Sequence, residues 1–314
     1  MTLGFVLQVV VSGLAAGAVY GLVAIGFSLV YRLTRVVQLA HGDIVGASVF
    51  LALVLAAGSG PVTATNVSVI RYVAAVAAAV VVAGAVGGAL YLGALRPFIR
   101  RGSAVGWIGA TAAVAFAIQG ILAASFEREA YVLPDPLPFS KWQPISLPGG
   151  ASLPPRTLWI LLAGSALAFV AGFILTRTRF GVAVSAIASE REGAQIVGLP
   201  VDRLTTLAFV LAGVLAAAAG VLGTPGAGAV GTQTGLLLGL KAIAASLAAG
   251  FGPPRRVFIA ALTLGVFEAA ITSLHVPGFP RLALGPAWRD VAPLLAALLF
   301  VTIRPSAEMM EPVD

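Results

Sequence analysis

The chain reads as an all-α, polytopic membrane protein of about nine transmembrane helices, in a range of 8–10, some of them broken or half-length. Three observations carry that reading. Of 314 residues 59% are hydrophobic and only 10% charged, with a mean hydropathy of +1.02. A soluble domain carries about a quarter charged residues, so a globular enzyme is excluded. Apolar runs recur along the whole chain at the length a bilayer core demands, about 20 residues per helix. Between them lie short basic loops and one longer polar stretch, 126–156, which leaves no room for a second soluble domain. The sequence therefore predicts a single transmembrane domain over residues 1–314.

The expected spans are 5–31, 36–57, 70–95, 104–125, 157–176, 204–223, 232–250, 257–275 and 287–303. No Lys or Arg precedes Arg32, so the first run lacks the basic flank of a cleaved signal peptide and is expected to be retained. The second is irregular, because its uninterrupted apolar part begins only at Ile44. The last is short, with Pro286 and Pro293 near or inside it. Broken helices are tolerated at membrane depth only where they face protein or a water-filled cavity, and transporters build sites and gates from them. Gly13–Gly17 and Gly84–Gly88 are small-xxx-small pairs that admit close helix packing, within the bundle or against a partner subunit.

Orientation follows from Lys and Arg. With the N-terminus outside and the C-terminus inside, twelve fall in inside segments and six outside, and Lys241 stays within a span. The reverse orientation inverts that ratio, so N-out and C-in is expected. The net charge of +7 then reflects the positive-inside rule and anionic lipid rather than nucleic acid. Cys is absent and the two histidines, His41 and His275, are far apart, so neither a disulfide nor a metal centre is expected.

The most informative stretch is residues 20–46, where Gln38, His41 and Asp43 interrupt two apolar runs. Polar groups so placed are costly against lipid and usually line a pathway or gate. Two readings stand for His41 and Asp43. Either they sit at the rim, with Asp43 near a helix N-terminus, or they line the route. Within nominal spans, Lys241 and Glu268 could pair, or Lys241 could snorkel to an interface. The 126–156 segment holds seven prolines and the aromatics Tyr131, Phe139 and Trp142, so it is expected to be a non-helical extracytoplasmic loop, a solvated connector or a partner-facing surface.

Residues 177–203 run from Gly181 to Gly198-Leu199-Pro200. Val184, Ile187, Ala188 and Ile196 can share an apolar side, while Glu190, Arg191 and Glu192 cluster on the polar one, which predicts a short amphipathic surface helix. Such a helix can dock into a groove of another protein. There is no GxxxxGK[ST], Ser-x-x-Lys or HExxH motif, so no catalytic residues are assigned and no cofactor is expected. An ion-coupled secondary transporter is the rival class; it needs mid-span carboxylates, of which Glu268 is the one available.

Segment 177–203, with Gly181, Ala186, Glu190, Ala194, Gly198 and Asp202-Arg203, resembles the cytoplasmic coupling loop of ABC importer permeases. Tyr20-Gly21-Leu22 and Ala40-His41-Gly42-Asp43 resemble the matching stretch of the branched-chain amino-acid permease family. So do Gly239-Leu240-Lys241-Ala242, Gly250-Phe251-Gly252 and Arg304-Pro305. The likeness spans about residues 10–306. It departs where Gln38 replaces the usual Asn, Asp43 the usual Glu, Glu190 an Asp or Asn, and Pro253-Pro254-Arg255-Arg256 a small-residue stretch. The resemblance implies a type II-like permease fold in the inner membrane and a branched-chain amino acid as cargo, with urea or short amides as the alternative. It also implies a second homologous permease or a second copy, two cytoplasmic ATPases coupled through Gly181, Glu190, Arg191, Glu192 and Gly198, and an extracytoplasmic substrate-binding protein.

Overall fold

The computed structural model describes residues 3–58, 67–101, 104–126, 131–133, 136–137, 142–227 and 230–273, with positions 291, 294 and 295 beyond. Eleven α-helices dominate these residues: α1 (Leu3–Thr34), α2 (His41–Ala57), α3 (Val69–Ala89), α4 (Arg96–Arg100), α5 (Ala104–Ser125), α6 (Pro155–Arg177), α7 (Arg179–Ser189), α8 (Arg191–Ile196), α9 (Val201–Ala227), α10 (Thr234–Ala248) and α11 (Pro254–Ser273). Six helical segments among them are long and apolar enough to cross a membrane. The chain is thus a polytopic membrane protein. Helices α2 and α10, at 17 and 15 residues, reach about 25 and 22 Å at about 1.5 Å per residue, short of a hydrocarbon core about 30 Å thick. His275, and all of the expected span 287–303 but positions 291, 294 and 295, lie outside the described residues.

Helix α1 runs through the middle of the bundle, packed on α6, α9, α10 and α11. Small residues make this possible. A Cβ on Gly13 or Gly17 would stand 2.6 Å from the Cα of Val266 or Leu262, so the α1–α11 seam closes backbone to backbone. Gly42 and Gly239 do the same between α2 and α10, where a Cβ on Gly239 would lie 2.7 Å from Gly42 Cα. Gly84 and Gly88 meet Val210 of α9. Both small-xxx-small pairs are therefore used inside this chain.

Between α3 and α4 the helix widens into a π-turn, Leu90–Leu95. Pro97 follows it. Proline has no N–H to donate and its ring crowds the carbonyl four residues back, so the preceding turn cannot keep α-helical pairing. In the proline-rich stretch the described residues are non-helical up to Pro154 and carry only a two-residue hairpin, Ile145–Ser146 with Ser152–Leu153. Tyr131 packs against Phe50 and Phe126 and pairs its backbone with Val230, while Trp142 is 60% exposed. The hairpin touches Gln8 at the start of α1, whereas α7 and α8 touch its end, so the two polar segments lie at opposite ends of the central helix.

Candidate functional site

Helix α1 ends at Thr34, and Arg35 adopts φ 57°, donating its N–H to Tyr31 O at 2.6 Å. The chain then turns through Gln38 and enters α2 at His41 without a side-chain cap from Ala40. Arg35 and Leu39 of this turn are exposed, but its polar side chains are enclosed by protein. Gln38 and His41 are 1% exposed and Asp43 is 2% exposed. His41 donates to the carbonyl of Val23, and its ring meets Phe27 edge-on at 4.5 Å. Gly26 of α1 makes the room: a Cβ there would lie 2.7 Å from His41 Nε2. Asp43, in the first turn of α2, accepts from Gln119 of α5 at 2.9 Å. Asp43 thus stands near a helix N-terminus, as one reading had it, but its carboxylate is buried and engaged with another helix rather than solvated.

Four buried atoms in this region have no hydrogen-bond partner among the described residues: Gln38 Oε1, His41 Nε2, Asp43 Oδ2 and Ser28 Oγ. Each such group costs about 1–3 kcal/mol when left unpaired. Gln38 Oε1 and an ionised Asp43 carboxylate can only accept, whereas an imidazole nitrogen and a hydroxyl can donate or accept. Two of the four are thus acceptors only, and three of them, on Gln38, His41 and Asp43, are set around the start of a half-length helix. Gln119 and Ser28 were not singled out from sequence, although an amide in an otherwise apolar run, 104–125, is the signal that marks Gln119.

A second buried group joins α1, α10 and α11. Lys241 Nζ lies 3.0 Å from Glu268 Oε1, and Tyr20 donates to Glu268 Oε2 at 2.9 Å. Lys241 Nζ is also 3.4 Å from the Tyr20 hydroxyl. The snorkelling alternative does not describe this lysine, which is buried.

The third region is the 177–203 segment. One amphipathic helix is expected there; two are present, because Glu190 takes an extended conformation (φ −147°, ψ 111°) between α7 and α8. The break resets the helical phase. Val184 and Ile187 are buried as expected, but Ile196 is 85% exposed. Glu190 and Glu192 are exposed, whereas Arg191 is half-buried and reaches Asp202 at 3.7 Å. Gly181 is obligatory, since a Cβ would collide with the Leu175 carbonyl. Gly198, at φ 85°, closes α8 with Leu199 N–H donating to Ala194 O at 3.0 Å, a Schellman-type end before Pro200. Beside α8 opens a cleft of about 690 Å³ lined by Ile99, Arg191, Glu192, Gln195 and Arg203.

A bundle of apolar helices around α1, with the short helix α2 packed inside it and a surface-helix pair at one end, is the architecture of a polytopic membrane protein. The sequence profile of the family described as "Branched-chain amino acid transport system / permease component" matches residues 9–303, and the chain belongs to that family. It is 26% identical over 309 residues to the high-affinity branched-chain amino acid transport system permease protein BraD of Pseudomonas aeruginosa, covering 98% of this chain and 96% of that protein. Identity to the corresponding permease protein LivH of Escherichia coli is 25% over 312 residues, covering 98% and 96%. A shorter match, 35% over 127 residues, links 38% of the chain to the autoinducer 2 import system permease protein LsrC of Klebsiella pneumoniae. The chain is thus an ABC importer permease subunit and not an enzyme; ATP hydrolysis belongs to separate subunits, which sets the ion-coupled secondary transporter aside.

Proposed function

We propose that this permease carries branched-chain amino acids across the inner membrane, through a route that passes the Gln38–Asp43 turn. The observation that supports the route is the set of buried polar atoms without partners among the described residues, Gln38 Oε1, His41 Nε2 and Asp43 Oδ2. An α-ammonium group brings three N–H donors, and a branched aliphatic side chain suits the apolar walls of α1 and α9. The route is low in affinity, since the substrate must leave; selectivity belongs mainly to a soluble substrate-binding protein that delivers it.

The chain forms one transmembrane domain over residues 1–314, of type II-like permease form, with about nine spans, the six long helices joined by α2, α10 and the 287–303 run. It lies N-out and C-in, with 177–203 in the cytoplasm and 126–156 outside. Two ATPases bind the 177–203 segment through Gly181, Glu190, Arg191, Glu192 and Gly198, and a second homologous permease or a second copy completes the pore.

Urea and short amides also bring N–H donors, and the unpartnered polar atoms fit them as well. The test is uptake by the reconstituted complex of permease, ATPases and binding protein. Radiolabelled leucine, isoleucine or valine should be accumulated on ATP addition. Accumulation of urea or acetamide in their place would replace the cargo while leaving the transport class standing.

A further inference from the structure

Asp202, the second residue of α9, is gripped by three residues from three different elements. Tyr91 in the π-turn donates its hydroxyl to Oδ1 at 3.0 Å. Arg96, the first residue of α4, places Nε and Nη2 on Oδ2 at 3.0 and 2.7 Å. Arg191, the first residue of α8, approaches Oδ1 at 3.7 Å. Arg191 also reaches the Tyr91 hydroxyl at 3.5 Å and the Leu33 carbonyl, at the end of α1, at 3.4 Å. One carboxylate therefore ties the surface helix α8 to the π-turn, to α4 and, through Arg191, to the central helix.

Stability alone does not account for the arrangement. The Arg96 and Asp202 side chains are 35% and 32% exposed. An ion pair this open adds little to stability. Its value lies in geometry: a forked guanidinium and a buried phenol hold a carboxylate at fixed distance and angle far better than one flexible contact does. The attachment point is also unusual. A π-turn is a site where helical pairing is already loosened, and such turns recur where helices must adjust. A displacement of α8 is delivered there rather than lost in the loop after Gly198.

We propose that Asp202 is the positioning residue that fastens the 177–203 segment to the π-turn of the 69–100 helix, so that a push on α8 from outside the bundle moves both as one body. This rests on the reading of 177–203 as the ATPase-facing segment. It concerns what happens inside the permease after contact is made.

The test uses the complete complex in proteoliposomes, measuring substrate moved per ATP hydrolysed. Asp202→Asn removes the charge and keeps the shape; the ratio should fall about tenfold, the scale of losing one charge-assisted hydrogen bond. Tyr91→Phe, which deletes one hydroxyl from a buried ring, should lower the ratio in the same sense by less, and it decides the matter if Asp202→Asn does not assemble. A purely structural role would lower transport and hydrolysis together and leave the ratio unchanged, which would overturn the proposal. A second readout needs no turnover. The native chain has no cysteine, so spin labels can be placed at Gly93, which has open space around it, and at exposed Gln195. Their distance should stay constant between nucleotide-free and ATP-trapped complexes, and should shift or broaden in Asp202→Asn; a native distance that shifts equally also overturns it. If the wild-type chain captures no ATPase, the reading of 177–203 fails and the proposal falls with it, an outcome distinct from an unchanged ratio in an assembled complex.

Discussion

Lys241 Nζ lies 3.0 Å from Glu268 Oε1, and the other oxygen of the same carboxylate accepts from Tyr20 at 2.9 Å. Both carboxylate oxygens are thus engaged, and α1, α10 and α11 are clipped together at one buried point. Breaking such a pair from one side leaves an uncompensated buried charge, at about 3–5 kcal/mol, whereas replacing both partners by apolar residues of similar size is far milder. Lys241→Met alone should therefore lower the melting temperature of the purified permease more than the double variant Lys241→Met, Glu268→Met. Tyr20→Phe should cost about 0.5–1.5 kcal/mol, one hydrogen bond. A double variant that is less stable than either single one would show that the pair is not the energetic unit.

Gly26 and His41 form a packing pair whose balance can be shifted. A Cβ at position 26 would lie 2.7 Å from His41 Nε2 and 3.4 Å from Ala212 Cα. Gly26→Ala should displace the ring, lower stability by the usual overpacking cost of about 1–3 kcal/mol, and slow uptake. Combining it with His41→Ala should relieve the clash and restore the melting temperature but not the uptake rate. Recovery of both together would mean that the imidazole matters only for packing.

What the sequence made legible follows physical lines. The long apolar helices were readable because hydrocarbon imposes length and composition on each span separately. Gln38, His41 and Asp43 stood out for the same reason, as polar groups in an apolar setting. Gln119 belongs to the same cluster but sits 76 residues from Asp43, and one amide in an apolar run does not say which helix it faces. The break at Glu190 was invisible because residues 184–197 suit one continuous amphipathic helix; tertiary contacts of Arg191 with Asp202 and Leu33 favour restarting the helix in a new phase. The π-turn had a trace in Pro97, but a proline alone does not distinguish a kink from a widened turn.

Glu190 and Glu192 are exposed at the junction of α7 and α8. Reversing both charges to Lys changes what a docking partner meets while leaving the buried Val184 and Ile187 side intact. The double variant should insert normally and uncouple ATP turnover from uptake in the reconstituted complex. Unchanged transport would remove this surface from the coupling contact.

Topology can be read chemically. Twelve of the Lys and Arg residues fall in segments that are inside when the N-terminus is out, against six outside. The contacts of Gln8 with the hairpin and of Arg35 with Ala188 put the two polar segments at opposite ends of α1, which agrees with one being on each side. In the cysteine-free chain, Thr2→Cys should react with an impermeant thiol reagent from outside in intact cells, and Ser306→Cys only after permeabilisation. The opposite pattern would falsify the orientation.

The route past Gln38, His41 and Asp43 makes the sharpest demand. If the unpartnered polar atoms face a transported ammonium group, their loss should slow uptake without disturbing insertion or ATPase capture. Gln38→Leu and His41→Leu each remove an unpartnered polar atom while keeping bulk, so each should lower the uptake rate, and the melting temperature should hold or rise because an unsatisfied buried polar atom is gone. Asp43 behaves differently. Its carboxylate is engaged with Gln119 at 2.9 Å rather than capping its own helix, so Asp43→Ala removes a part-buried hydrogen bond, at about 0.5–1.5 kcal/mol. Asp43→Asn keeps the hydrogen bond to Gln119 available and removes the charge. It should therefore preserve stability while raising the substrate concentration needed for half-maximal uptake, with Asp43→Ala impaired in both respects. Parental uptake kinetics in Gln38→Leu, His41→Leu and Asp43→Asn alike would take this turn off the pathway and leave it a structural joint between α1 and α2.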